Sequence, residues 1–140
     1  MNELAPEVMD DLERSLKDNF KLSSYEARIY LSLLKLGKQN QKQLSQTAQV
    51  PLPRVYDSVE SLMSKGFVVK QEDNFSGIAA KQALKGRSSQ FEIQFLEEQK
   101  RRKQAEEELV TVLQKVSQDQ TKESNSEISV LKGLDRKSVV

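Results

Sequence analysis

The sequence predicts a mainly α fold of the α+β class, and three observations predict it. A capped helix with a broad apolar face runs from Ser23 to Gly37. Two further helical segments meet at a turn, Gln49-Val50-Pro51, and the second stops at Lys65-Gly66 ahead of a β-rich stretch. From Ser88 to Gln118 the chain contains neither proline nor glycine and is rich in Glu, Lys, Gln and Leu, as a long helix requires.

The elements follow in order. Leu4, Val8, Leu12 and Leu16, with Met9 and Phe20, recur at helical spacing, so the first twenty residues form an amphipathic helix with an acidic outer face. In KLSSYEARIYLSLLKLG, Ser23 and Glu26 make an S-x-x-E capping box, Leu22 and Ala27 stand at the staple positions, and Gly37 supplies the stop. Ile29, Tyr30, Leu33, Leu34 and Leu36 make this the central helix of a small core. Asn40 and Gln43 then start a short helix that ends near Thr47, anchored by Leu44 and Ala48. Val50 precedes a proline and leaves the helical region. The next helix carries Pro53 in its first turn, where a missing N–H costs nothing. Val55, Val59, Leu62 and Met63 point one way along it, and Pro53, Arg54, Asp57, Ser58, Ser61 and Lys65 another. Phe67-Val68-Val69, a polar turn at Glu72-Asp73-Asn74 and a return over Phe75 to Ala80 complete a hairpin. The sum is a winged helix-turn-helix with a two-stranded wing, followed by a long C-terminal coiled-coil helix.

Composition narrows the function. Of 140 residues 36% are hydrophobic and 31% charged, with a mean hydropathy of −0.65, so the chain is one small domain with its polar excess on an extended appendage. It has no cysteine and no histidine, which excludes disulfides, thiolate metal sites, thiol nucleophiles and imidazole acid–base catalysis. No enzyme and no cofactor are expected. No apolar run approaches the length of a membrane span, and the acidic start MNELAPEVMDDLE is unlike a signal peptide, so a cytoplasmic protein is expected. The formal net charge is +1, but it is unevenly spread. Residues 1–20 are acidic on balance, whereas over residues 38–70 Lys38, Lys42, Arg54, Lys65 and Lys70 outnumber Asp57 and Glu60.

The runs LSSYEARIYLSLLKLG and QLSQTAQVPLPRVYDSVESLMSKGFV carry a family resemblance. Across Leu22 to Ala83 the chain resembles the N-terminal winged-helix domain of the TrmB family of archaeal and bacterial transcription regulators. In that family a long dimerising helix follows the wing, and an effector domain opens with a strand and a glycine. EISVLKGLDRK from Glu127 looks like that opening. The implied domains are residues 1–86 as the DNA-binding winged helix, 87–122 as the dimerisation helix and 123–140 as the start of an effector domain. Because the sequence continues no further than Val140, a small-molecule effector is not expected.

The candidate DNA-binding residues are Lys42, Gln43, Pro53, Arg54, Asp57, Ser58, Ser61, Lys65 and Lys70. A recognition helix needs short polar side chains on its outer face to approach base edges in the major groove. Arg54 is suited to a bidentate pair with guanine O6 and N7, Ser58 and Ser61 to bases or phosphates, and Lys42 and Lys65 to phosphates at the edges. Arg54 also has Asp57 and Glu60 within reach as ion-pair partners. Tyr56 suits either a half-buried helix contact or a DNA contact. Members of the family often carry basic wing tips, whereas this tip is acidic, which leaves Lys70, with Lys81, to make what contact the wing makes. Along the long helix, Phe91, Phe95, Leu109, Val112 and Val116 mark a coiled-coil seam interrupted by Glu98 and Arg102. A lone helix cannot bury such a seam, so a homodimer is expected. Lys100-Arg101-Arg102-Lys103 reads as a solvated face neutralised by nearby glutamates. The expected function is a dimeric, sequence-specific double-stranded DNA-binding transcription regulator. The alternative is a winged-helix module that binds proteins of the transcription machinery, which the acidic wing tip favours.

Overall fold

The computed structural model describes residues 5–123. Leu4 and the tail from Ser124, including the stretch that resembles the opening of an effector domain, lie outside the described residues. The elements are α1 (Pro6–Phe20), α2 (Ser24–Leu36), β1 (Gln39–Asn40), α3 (Gln41–Thr47), α4 (Leu52–Ser64), β2 (Val68–Gln71), β3 (Asn74–Gly77) and α5 (Ala80–Glu123). They fall into two units that divide after Ile93.

Local chemistry sets most element ends in the first unit. Ser23 Oγ accepts from the Glu26 N–H at 3.1 Å and Glu26 Oε1 from the Ser23 N–H at 2.8 Å, closing the capping box of α2. Asn40 and Gln43 do the same for α3, at 2.8 and 2.9 Å. α2 ends at Gly37, whose φ of +88° an L side chain would strain. Gln49 adopts a left-handed φ of 55°, and the Val50 N–H returns to Ser45 O at 3.1 Å, the six-to-one bond of a Schellman turn. This turn aims α4 across α3.

The core sits where α2, α3 and α4 meet the hairpin. Ile29, Tyr30 and Leu33 of α2 pack with Leu44 and Ala48, with Val55, Val59 and Leu62 of α4, and with Phe67, Val68 and Phe75. Tyr30 meets Phe67 edge to face, ring centres 4.9 Å apart, and its hydroxyl donates to Ile78 O at 2.7 Å. Burial pushes that phenol up to about 12.

Three features differ from the sequence expectation. The wing gains a third strand: the sheet order is β1-β3-β2, all antiparallel, with Gln39 opposite Phe75 and Asn40 opposite Asn74. Two residues without apolar alternation give no strand signal. Buried Gln39 holds them instead, donating to Ser32 O at 3.2 Å and accepting from Thr47 Oγ1 at 2.7 Å. The wing turn is tighter than expected, since Asn74 pairs with Gln71 and only Glu72-Asp73 lies between, Glu72 at a φ of 57°. The long helix begins at Ala80 rather than Ser88 and runs through Gly86, across the boundary expected at 86/87. Its first turns bury Ala83 and half-bury Leu84 on the core, which outweighs the roughly 1 kcal/mol that a helical glycine costs. Arg87 then anchors it. Only 8% exposed, Arg87 donates from Nε to Phe20 O at 3.0 Å and from its guanidinium to Gln90 Oε1 at 2.8 Å, and Gln90 donates to Ser64 O at 3.0 Å. The end of α1, the end of α4 and the root of α5 are thereby tied together.

Candidate nucleic-acid interface

At 100° per residue, Val55, Ser58, Val59 and Leu62 fall on one face of α4, and all four are buried. The rest of the helix is sorted by that fact. Pro53, Arg54, Tyr56, Asp57 and Glu60 are exposed. Among the described residues no hydrogen bond or ion pair holds the Arg54 guanidinium, so the ion pairs that Asp57 and Glu60 offered it on sequence grounds are not formed.

Of the other sequence candidates Ser58 is buried, and Ser61 and Lys65 are half-buried. Ser58 is 8% exposed and faces the core, because the buried stripe of α4 is wide enough to take in the position next to Val55 and Val59. Ser61 hydrogen-bonds Glu26. Lys65 Nζ donates to Glu26 Oε1 at 2.8 Å and to Lys21 O at 3.2 Å, and is mostly covered. Glu26 is thus the hub that joins the start of α2 to the end of α4. Burial by itself raises the Glu26 carboxyl pKa, but hydrogen bonds from Lys65, Ser61 and the Ser23 N–H, with the Lys65 charge, outweigh it and leave the carboxyl below its ordinary 4.5. A carboxylate with a depressed folded pKa contributes stability that is complete above the unfolded value and lost as pH falls through the folded one. The urea midpoint of the wild type is therefore expected to fall below about pH 4.5, and that of Glu26→Gln to fall less steeply over the same range. Parallel pH profiles would contradict this.

The remaining candidates surround α4. Lys42 on α3 and Lys70 on β2 are exposed, and Gln43 is exposed with its carbonyl committed to the Asn40 cap. A shallow groove runs between these elements. Asn40, Gln41 and Lys42 line it from the start of α3, Leu52 and Tyr56 from α4, and Lys70, Asp73 and Phe75 from the hairpin. The sequence does not single out Leu52, and it leaves Tyr56 between a helix contact and a DNA contact. They are 45% and 48% exposed, and the signal for them was their i, i+4 spacing on the flank of α4 beside the buried stripe. The wing tip, Glu72-Asp73, is exposed and acidic.

On α5, Phe95, Leu109, Val112 and Val116 are exposed, and so is Leu113 on the same face. Phe91 differs: the Arg87 guanidinium lies 4.4 Å over its ring and it is half-buried in the first unit. Among the described residues no helix is long and apolar enough to cross a membrane, and no group of three or more His, Cys, Asp or Glu side chains is set to hold a metal ion.

Comparison with known proteins gives this geometry its context. Residues 16–84 match the family described as sugar-specific transcriptional regulator TrmB. The chain is 30% identical over 109 residues to the DNA-binding HTH-type transcriptional repressor TrmBL2 of Thermococcus kodakarensis, covering 76% of this chain and 41% of that protein. It is also 30% identical over 107 residues to the putative HTH-type transcriptional regulator TrmBL2 of Pyrococcus furiosus, covering 74% and 40%. A solved structure of TrmBL2, described as an archaeal chromatin protein with a novel mode of DNA binding, superposes with a TM-score of 0.68 at 30% identity, over 74% of this chain and 41% of that one. The chain thus spans about two-fifths of the length of the curated relatives it matches. The capped α2, the helix-turn-helix and the wing all lie within the matched residues, and through that winged-helix domain the chain belongs to the TrmB family of transcriptional regulators.

Proposed function

We propose that the chain binds double-stranded DNA as a homodimeric, sequence-specific transcription regulator of the cytoplasm, with no catalytic activity. The observation that carries this reading is the exposed surface of α4, with an arginine that has no protein partner among the described residues on one flank and, on the other, a groove whose lining includes Lys42 and Lys70. Lysines on two separate elements suit the phosphates that fix register, and an exposed arginine in the first turn suits guanine. The relatives named for DNA binding and repression support the same ligand. The apolar face of α5 supports a partner helix, and the simplest partner is a second copy. A twofold dimer presents two copies of α4 to one side of the duplex, so the site is a pseudo-palindrome with half-sites about 10 bp apart or a multiple of that.

The test is to select bound sequences from a random duplex pool and titrate the winner. Arg54→Ala is expected to cost about 1–3 kcal/mol and to relax the preference at one base position per half-site. Unchanged affinity and preference in Arg54→Ala would remove the arginine from base readout. A second reading, a protein-binding winged helix, has one specific observation in its favour: Asp57 and Glu60 on α4 and Glu72-Asp73 at the wing tip are exposed carboxylates that phosphate repels. Selection that enriches no sequence, with no binding at low salt, would favour it.

A further inference from the structure

We infer that Leu52 and Tyr56 read thymine, by packing against its 5-methyl group in the major groove, and so form a second specificity element beside Arg54. The inference rests on the DNA-binding reading above and adds the base class that the groove accepts.

Leu52 and Tyr56 are one helical turn apart, so their side chains lie one above the other on the same flank of α4. Both are about half exposed, although Val55, Val59 and Leu62 of the same helix are wholly buried. The fold had core positions to give and left these two outside. Glu60, one turn further on along the same helix, raises the Tyr56 phenol pKa, chiefly as a hydrogen-bonding neighbour, so the polar tip interacts with its own helix. What Leu52 and Tyr56 bring to the groove is largely apolar, an isobutyl group and a ring, and Phe75 lines it with them.

Cations flank this apolar floor, Lys42 from α3 and Lys70 from β2. A ligand that fits must offer negative charge on its margins and an apolar group at its centre. A duplex edge does so at one base only. In the major groove guanine, cytosine and adenine show polar atoms, whereas thymine shows a methyl group that apolar side chains contact. A protein surface would also meet an apolar floor, and the exposed carboxylates of Asp57, Glu60 and the Glu72-Asp73 tip oppose an acidic protein and a phosphate backbone alike, so it is the lysine pair in the groove lining that favours the duplex. Asp73 is the one carboxylate that lines the groove, and its charge opposes phosphate there. Arg54 lies on the opposite flank of α4, so guanine and thymine readout fall on different base positions.

The test uses the full chain and the duplex selected above, with each thymine replaced in turn by deoxyuridine, which removes the methyl and leaves the pairing intact. One or two positions in each half-site are expected to lose about three- to fivefold in affinity, the worth of one buried methyl. Leu52→Ala should bind the thymine duplex more weakly and become indifferent to the replacement, while Leu52→Met keeps the sensitivity. Arg54→Ala should remain sensitive at the same positions. Equal binding of every deoxyuridine duplex by the wild type would overturn the inference and leave DNA binding standing. Undiminished sensitivity in both Leu52→Ala and Tyr56→Ala would overturn it too, and failure to select any duplex would overturn it together with the reading beneath it.

Discussion

Ending the chain after Ile93 is expected to lower affinity for a two-half-site duplex by about 10²–10⁴, while affinity for a single half-site changes little. The reason is the division of labour along α5. Its root belongs to the winged-helix unit, where Ala83, Arg87 and Gln90 pack on or hydrogen-bond the core elements, and all of these survive the truncation. From Gln94 to Asp119 every residue of the helix is exposed, and Phe95, Leu109, Val112, Leu113 and Val116 give one exposed apolar face. Two copies joined through that face bind the second half-site as an intramolecular event, and the gain vanishes with the join. Sedimentation should find the full chain dimeric at micromolar concentration and the shortened one monomeric. A monomeric full chain, or a shortened chain that keeps full affinity for the double site, would contradict the role given to this helix.

Replacing Lys65 with alanine is expected to lower the unfolding free energy by about 2–4 kcal/mol and to leave the salt dependence of DNA binding unchanged. On sequence alone Lys65 is a phosphate contact, whose loss would weaken all duplexes and flatten the salt slope. The structure assigns it elsewhere. Its ammonium ends on Glu26 Oε1 and Lys21 O, and Glu26 is only 5% exposed, so the variant strands a buried carboxylate with Ser61 and the Ser23 N–H as its remaining donors. Pairing Lys65→Ala with Glu26→Gln should recover part of the loss, because the stranded charge is then gone. Urea unfolding of the four proteins measures the coupling. A stable Lys65→Ala with a flatter salt slope would return the residue to the DNA-binding face.

These corrections show where the sequence is legible. Ser23, Glu26, Asn40, Gln43, Gly37 and Gly66 act within four residues of themselves, through caps and left-handed turns, and their positions alone locate the ends of α2, α3 and α4. The long helix and its apolar face are legible for the same reason, since periodicity is local. Ser58, Ser61 and Lys65 are polar and so suggest water in the sequence, but Ser58 lies on the buried face of α4, and Lys65 and Ser61 face Glu26, more than thirty residues away on another helix. β1 is invisible because its two residues become a strand only when β3 passes beside them. The start of α5 is hidden by Gly86, a local breaker overruled by the packing of Ala83 and Leu84. Tyr56 is undecided on periodicity, as it lies beside the buried stripe of α4, and the fold leaves it outside.

The claim that this surface grips DNA is tested most directly by the affinity of the full chain for duplex DNA across a salt series, wild type against Lys42→Ala/Lys70→Ala. Each phosphate contact adds about 0.9 to the slope of log affinity against log salt. In a homodimer the double variant removes two lysines from each protomer. The account predicts a steep loss of wild-type binding with salt, and for the double variant weaker binding at low salt with a slope shallower by about four. Wild-type binding that is absent at low salt, or a slope that the double variant leaves unchanged, would contradict it.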